Sequence, residues 1–230
     1  MKFITMLGLA LAPGLAIMLY IYLKDKHERE PIGLLIMSFI YGLASACVTL
    51  FISGPINSLV SYRLDNIIDQ FNNAFFNVAF VEEFSKFIFI RFILYYNKNF
   101  NEPFDGIVYA VMVGMGFATF ENVIYVWEYG FVTAVLRMFT AVPAHATFAI
   151  LMGYFIGKAR FSHKNVFMYS FFSLLVATFY HGAYDYFWFI SFIPGLWICA
   201  VVSLLAAFFL SRNAIRLHQQ ASPFIKRKHH

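Results

Sequence analysis

Residues 106–126, GIVYAVMVGMGFATFENVIYV, contain a single charged side chain, Glu121, in an otherwise apolar or small run. About 20 such residues in a row are enough for a helix to cross the hydrocarbon core of a bilayer. The whole chain of 230 residues has the same character, because 61% of it is hydrophobic and only 13% is charged, against about 25% charged residues in soluble proteins. Its apolar runs are continuous rather than alternating, which argues against an outer-membrane β-barrel. The composition therefore excludes a soluble globular domain and predicts an all-α polytopic membrane protein.

Further apolar stretches of similar length bring the predicted number of transmembrane helices to seven. We expect the first stretch to be a retained span rather than a cleaved signal peptide, since Pro13 directly follows the small-residue sequence Ala10-Leu11-Ala12. We expect the second helix to end at Gly54-Pro55, because proline interrupts a helix. The prediction is one transmembrane helical domain over residues 1–211 and a basic cytoplasmic tail over 212–230. The predicted spans are 3–23, 32–53, 71–96, 106–126, 138–157, 166–189 and 194–211.

The distribution of Lys and Arg predicts the orientation of this bundle, because positively charged loops are retained in the cytoplasm. With the N-terminus outside, thirteen of the seventeen Lys and Arg residues fall on the cytoplasmic side, and Lys2, Arg63 and Arg137 fall outside. All three Trp residues then lie at the outer interface, which amphipathic rings prefer. The net charge of +5 has the same explanation, because basic cytoplasmic segments are attracted to the anionic lipids of the bilayer. No nucleic-acid partner is needed to account for it.

Seven acidic, basic or imidazole side chains lie deep inside the predicted spans, although a charge near the bilayer centre costs about 2.5–3.5 kcal/mol on insertion scales. Glu82 and Glu83 precede Lys86 by about one helical turn, and His181 and Asp185 are likewise four residues apart on one face. At about 1.5 Å of rise per residue, the groups on four helices reach a similar level in the outer half of the membrane. The sequence therefore predicts one polar site among helices 3 to 6, formed by Glu82, Glu83, Lys86, Glu121, His145, His181 and Asp185.

Two adjacent acids beside one lysine suggest catalysis rather than a simple structural ion pair. Two carboxylates in a low dielectric cannot both ionise cheaply, and Lys86 can neutralise only one of them. We therefore expect Glu82 and Glu83 to form a unit that takes a proton from water. His145 and His181, on other helices, are candidates to hold an oxyanion or to protonate a leaving amine. These residues predict hydrolysis of a peptide bond by activated water.

Several short motifs at these positions resemble the PrsW intramembrane proteases, which are relatives of the CAAX-processing and bacteriocin-processing membrane proteases. The similarity covers roughly residues 10–190. The motifs are Glu82-Glu83-x-x-Lys86, Phe117-x-x-x-Glu121-Asn122, His145 in its own span and His181-x-x-x-Asp185, with shorter matches at 12–14, 30–31, 104–109 and 157–161.

This resemblance implies a protease of the bacterial cell membrane that makes the first cut in a single-pass, membrane-anchored anti-sigma factor. The depth of the polar groups, in the outer half of the membrane, predicts that the cut lies near the extracytoplasmic side. The catalytic residues would be Glu82, Glu83, Glu121, His145 and His181, supported by Lys86, Asn122 and Asp185. We prefer water activation by glutamate without a cofactor, because no HExxH or other compact zinc spacing occurs. A metalloprotease with Zn²⁺ is the alternative, and its candidate ligands are His145, His181, Glu121 and Asp185.

Two other classes of protein fit part of this pattern. A proton-coupled transporter or channel could use the intramembrane Glu and His cluster as a relay. Such folds often have internal repeats and broken helices, whereas the spans of this chain look uninterrupted in sequence. A non-catalytic membrane receptor or chaperone would explain the rows of small residues but not two acids beside a lysine.

Overall fold

A computed structural model describes residues 2–162 and 164–225 of the chain, and within these ranges it contains helices and no strand. Helices dominate because a chain in lipid must satisfy its backbone donors and acceptors within each segment. The α-helices are α1 (Lys2–Lys24), α2 (Ile32–Leu59), α3 (Ile67–Asn72), α4 (Phe80–Phe92), α5 (Asp105–Tyr129), α6 (Phe131–Phe139), α7 (Ala141–Phe161), α8 (Val166–Phe189) and α9 (Trp197–Gln220).

Six helical segments of the described chain are long and apolar enough to cross a bilayer. They are α1, α2, α5, α8, α9 and the joined pair α6 and α7, which together run from Phe131 to Phe161. The remaining predicted span, 71–96, corresponds to the segment from α3 to α4, which packs in the bundle against α2 and α8. The predicted all-α polytopic fold is therefore confirmed.

The segment from α3 to α4 is not the continuous α-helix that its sequence suggested. Residues Asn73–Ala79 form π-helical turns between the two helices. The Asn77 side chain donates hydrogen bonds to Asn57 Oδ1 at 2.8 Å and to Asn73 Oδ1 at 2.9 Å. These buried polar contacts replace the apolar contacts that are usual for a transmembrane α-helix. Such π-helical turns are often found beside functional sites, and these lie directly before the Glu82-Glu83 pair.

Both α2 and α9 extend beyond their predicted ends. The predicted break at Gly54-Pro55 is wrong, since α2 continues through Pro55 to Leu59. Pro55 lacks the N–H that would bond the carbonyl four residues earlier, so α2 loses one backbone hydrogen bond there. The helix nevertheless continues, and the N–H of Val60 bonds the carbonyl of Ile56 beyond the proline. α9 continues from the predicted span end at 211 to Gln220 and buries Ala214 and His218, so the first part of the predicted tail is helical. Residues 226–230 of that tail lie outside the described residues.

α5 is the central helix, and it packs against α1, α2 and α7. All of its residues from Asp105 to Thr119 are buried. Its contacts depend on glycine, because Gly116 faces Gly42 of α2 and Gly106 faces Gly153 of α7 so closely that a Cβ would collide with the opposite backbone. Small residues at such crossings allow helices to approach closely in lipid. This close packing sets the distance from α5 to the helices that carry the other polar groups.

Candidate active site

The structure brings together the ionisable residues that the sequence singled out, from four helices. α4 supplies Glu82, Glu83 and Lys86, α5 supplies Glu121, α7 supplies His145, and α8 supplies His181 and Asp185. They surround one end of a cavity of about 490 Å³, which is lined by Glu82, Glu121, Arg137, His145, His181 and Asp185 together with apolar and aromatic side chains. The predicted polar site therefore exists as a single cluster.

Glu83 is the most enclosed of the acids, with only 1% of its surface exposed. Lys86 Nζ donates a hydrogen bond to Glu83 Oε1 at 2.7 Å, and His181 Nδ1 lies 2.9 Å from the same oxygen. Two partners on one carboxylate oxygen fix the lysine and the imidazole relative to each other. Glu83 is therefore placed to position its neighbours rather than to meet a substrate.

Glu82, its neighbour in sequence, has a different environment. Its Oε2 atom lies 3.6 Å from Lys86 Nζ and 3.9 Å from His181 Nε2, too far for a hydrogen bond. This oxygen is buried and has no hydrogen-bond partner among the described residues, while the side chain lines the cavity. Buried polar oxygens are nearly always bonded, so this orphaned oxygen of Glu82 marks a position where a ligand atom or water would bind.

His145 and Glu121 form a second contact across the cavity. His145 Nε2 lies 2.9 Å from Glu121 Oε2, and its Nδ1 lies 3.3 Å from Lys86 Nζ. Arg137 Nη2 also donates to Glu121 Oε2 at 2.9 Å, and Arg137 Nε donates to Asn122 Oδ1 at 2.9 Å. Asn122 in turn donates to the carbonyl of Ala10 at 3.0 Å. Asn122 therefore links Arg137 to α1 through hydrogen bonds, and it is not among the residues that line the cavity.

His181 is held on its other side by Asp185 and by an aromatic ring. His181 Nε2 lies 3.2 Å from Asp185 Oδ2. The imidazole stacks on Phe148 with ring centroids 4.9 Å apart and an interplanar angle of 17°. Its ring centroid is 5.2 Å from that of His145. A carboxylate beside each histidine, Glu121 for one and Asp185 for the other, resembles the arrangement that orients metal-binding imidazoles.

One group of three donors in the described chain has the compactness of a metal site. Atoms of Glu82, His145 and His181 lie within 4.8 Å of one another. Two imidazoles and one carboxylate, with a fourth position left for water, are a typical ligand set of catalytic zinc. Of the four ligands that the sequence suggested, the two histidines belong to this group, whereas Glu121 and Asp185 line the same cavity and each contact one of the histidines.

The charges of the cluster also match a divalent cation. Four carboxylates face two cations that stay charged at any physiological pH. When both histidines are neutral, as metal binding requires, two negative charges of the cluster are uncompensated, which is costly in a low-dielectric interior. One Zn²⁺ would compensate them, and so would protons on His181 and Glu82. The residues present therefore fit such an ion. The carboxylates are Glu82, Glu83, Glu121 and Asp185, and the cations are Lys86 and Arg137.

Sequence reasoning assigned no role in the site to three residues. In the sequence, Arg137 stands out only as one of the few basic residues on the outer side. A charged residue next to a membrane span can pair with an acid inside the bundle, and Arg137 does so with Glu121. Phe148 stacks on His181, and Phe117 lies under Lys86 Nζ at 4.0 Å from its ring centroid. Phe117 belongs to the motif Phe117-x-x-x-Glu121, whereas Phe148 has no distinctive sequence signal in a chain that contains thirty Phe residues.

Comparisons with known proteins agree on one family. The family model described as "PrsW family intramembrane metalloprotease" matches residues 30–211. The chain is similar to proteins named Protease PrsW from Oceanobacillus iheyensis (38% identity over 187 residues, 80% of this chain and 82% of the relative) and Geobacillus kaustophilus (36% over 182 residues, 79% of each). It is also similar to Protease PrsW of Bacillus subtilis (33% over 184 residues, 79% of this chain and 82% of the relative). No solved structure matches the chain.

Proposed function

The chain belongs to the PrsW family of intramembrane proteases, and we propose that it hydrolyses a peptide bond near the extracytoplasmic end of a membrane-anchored substrate. The observation that carries this proposal is the cavity in which Glu82, His145 and His181 meet inside a helical membrane bundle. Family membership favours this activity over the transporter or channel. The type of substrate we propose, a single-pass anti-sigma factor receiving its first cut, comes from the sequence resemblance.

The depth of the cavity supports a cut close to one membrane surface. Glu121 and His181 each lie eight residues from the ends of α5 and α8, and His145 lies four residues from the start of α7. At about 1.5 Å per residue, these groups are about 6–12 Å below the same end of the bundle. The Lys and Arg distribution predicts that this end faces outward. A substrate helix is hydrogen-bonded internally within lipid, so its accessible peptide bonds lie where it frays.

We propose that Glu82, His145 and His181 would hold Zn²⁺, in place of the cofactor-free site preferred from the sequence. When bound, such an ion supplies a water whose pKa falls toward neutrality. The compact grouping of Glu82 with His145 and His181, and the orphaned oxygen of Glu82, support this choice over glutamate alone. The family's description as metalloproteases agrees with it.

The remaining residues divide into two roles. Glu83, Asp185 and Phe148 hold the His181 ring in place. Glu121 is the more exposed of the cavity's two glutamates, at 22% of its side chain against 10% for Glu82, and we assign it the proton that the attacking water loses. Arg137, on the cavity wall, is placed to stabilise the oxyanion that develops on the substrate carbonyl.

The direct test is cleavage of a tagged, single-pass anti-sigma factor by the purified full-length chain in liposomes. Mass spectrometry of the fragments should locate the cut in the outer part of the substrate's span or just outside it. Glu82→Gln protein, prepared identically, is the matched control and should give no product. A cut in the cytoplasmic half would contradict the proposed orientation, and cleavage that persists in the Glu82→Gln control would refute the assignment of the site.

A further inference from the structure

A second cluster of acidic side chains lies at the end of the bundle opposite the active site. Asp25 and Glu30 come from the connection between α1 and α2, and Glu102 and Asp105 come from the start of α5 and the turn before it. All four are buried, with exposed fractions between 0% and 3%. Asp105 and Glu121 are 16 residues apart on α5, which corresponds to about 24 Å along the helix. The cluster is therefore separate from the protease site.

Some oxygens of this cluster have ordinary hydrogen-bond donors. Asp105 Oδ2 accepts bonds from the backbone N–H groups of Asn101 and Glu102, both at 2.8 Å. The Tyr109 hydroxyl donates to Glu30 Oε2 at 2.6 Å. These bonds fix the two carboxylates rigidly to the α5 helix and its preceding turn.

Six other oxygens in the cluster have no hydrogen-bond partner within residues 2–162 and 164–225. They are both carboxylate oxygens of Asp25, both of Glu102, Glu30 Oε1 and Asp105 Oδ1. Asp25 is only 1% exposed and its carboxyl group faces that of Glu102, acceptor to acceptor. Glu30 and Asp105 face each other similarly. Two facing carboxyl groups attract each other only when a proton or a cation lies between them.

None of the ion pairs found within residues 2–162 and 164–225 includes one of these four acids. The Ser222 hydroxyl and the His27 imidazole lie near Glu102, and the Glu30 backbone N–H lies near Asp25, so they partly offset the rise in pKa that burial causes. Burial, and then the charge of Glu102, raise the pKa of Asp25 to about 8. Burial likewise raises the pKa of Glu30 to about 7. Above these values Asp25 and Glu30 would carry negative charges in a buried site, which is costly unless a cation compensates them.

We propose that Asp25, Glu30, Glu102 and Asp105 bind a hard divalent cation of the Mg²⁺ and Ca²⁺ class. Such ions take six or more oxygen ligands and favour carboxylates, and the unpartnered oxygens of the cluster number six. The donors lie in two facing pairs, Asp25 with Glu102 and Glu30 with Asp105. Among the described residues, the group of three with ligand atoms within 4.8 Å of one another is that of Glu82 and the two histidines, so the two acidic pairs are farther apart than the ligands of a closed site. Binding would draw the two pairs together and fasten the connection between α1 and α2 to the start of α5.

The test measures thermal unfolding of the purified full-length protein in detergent at pH 8, after removal of metals. Titration with Mg²⁺ or Ca²⁺ should raise Tm progressively, because the ion binds the folded chain, whereas KCl of equal ionic strength should not. The Asp25→Asn/Glu102→Gln double variant should lose this dependence. Glu82→Gln and the exposed Asp65→Asn should keep it, which separates the new site from the protease site and from general surface charge.

A direct binding measurement decides the matter independently of stability. The Glu82→Gln protein is used so that the protease site is altered. Electron paramagnetic resonance should detect about one bound Mn²⁺ per chain of this protein, and excess Mg²⁺ should displace it. A protein that carries Asp25→Asn and Glu102→Gln in addition to Glu82→Gln should bind none. The proposal is overturned if Glu82→Gln protein binds no Mn²⁺, or if the double variant binds it equally well. It is also overturned if Tm ignores divalent cations and responds only to pH, since the carboxyl groups would then hold protons.

Discussion

His181 Nδ1 lies 2.9 Å from Glu83 Oε1, although the two residues are 98 positions apart in the chain. The same oxygen accepts a hydrogen bond from Lys86 at 2.7 Å. Glu83 therefore joins α4 to α8 across the buried face of the bundle, whereas the adjacent Glu82 is left facing the cavity. Two identical side chains, neighbours in sequence, thus have different environments because successive residues of a helix point about 100° apart.

Glutamine substitution should separate the roles of these two glutamates. Glu82→Gln should abolish cleavage. When both proteins are compared in metal-depleted form, its Tm should stay near that of the wild type, because the orphaned oxygen contributes no hydrogen bond to the fold. Glu83→Gln should lower the free energy of unfolding by about 3–5 kcal/mol, since it removes the charge that compensates buried Lys86. Product formation and thermal unfolding of both variants check this. Equal Tm values for the two variants, or full activity in Glu82→Gln, would show that the roles are wrongly assigned.

The purified protein should contain about one zinc ion per chain, which elemental analysis can measure. His145→Ala and His181→Ala should each lose the ion together with activity, because each removes one of three ligands. His218→Ala is the matched control, since this buried histidine lies on α9, outside the active-site group. Cleavage by metal-depleted, chelator-treated enzyme at the wild-type rate would favour the metal-free mechanism instead.

Arg137 should be needed for efficient cleavage. Arg137→Lys keeps the charge but cannot donate to Glu121 and Asn122 together as the guanidinium does. We expect a loss of about 10- to 100-fold in kcat/KM, typical when a group that orients a catalytic residue is removed. Arg63→Lys is the control, because Arg63 forms an exposed ion pair with Asp69, and such pairs contribute little. Similar activity in both variants would exclude a role for Arg137.

The crossing of α5 and α7 should tolerate no added methyl group. Gly153→Ala places a Cβ against the Gly106 backbone, so we expect a loss of about 1–3 kcal/mol in unfolding free energy. Gly8→Ala is the matched control, because nothing lies within 4 Å of a Cβ at that position. That substitution should be neutral or slightly stabilising. Thermal unfolding of both proteins in detergent measures the difference, and a stable Gly153→Ala protein would contradict the packing described.

Cysteine labelling tests the predicted orientation. In a protein with Cys47 and Cys199 replaced by alanine, single cysteines at Ser162 and Ser191 should label from opposite sides of intact cells. Ser191 follows α8 and Ser162 follows α7, so these positions lie at opposite ends of the bundle. We expect the cysteine at Ser191 to label from outside, because the positive side of the chain should face the cytoplasm. Labelling of Ser162 alone from outside would reverse the orientation.

The sequence by itself determined the class of the fold and the membership of the polar cluster. Apolar runs of about 20 residues specify membrane helices locally, and ionisable residues within them, such as Glu121 and His145, are rare enough to mark a site. Both signals depend on one segment at a time, so they can be read without knowledge of neighbouring helices. The same local reasoning failed at Pro55 and at Asn73–Ala79, where helix end effects and polar contacts between segments decide the backbone.

Only the tertiary structure decided how the polar groups pair. Glu83, rather than Glu82, lies within hydrogen-bond distance of His181, and Glu121 contacts both His145 and Arg137. The loop acids Glu30 and Glu102, which look like solvated residues in sequence, are buried opposite Asp105 and Asp25. These pairings depend on the distance and rotation between helices, which close glycine contacts such as Gly106 with Gly153 determine. A displacement of about one ångström makes or breaks a hydrogen bond, and spacing along a single helix carries no information about it.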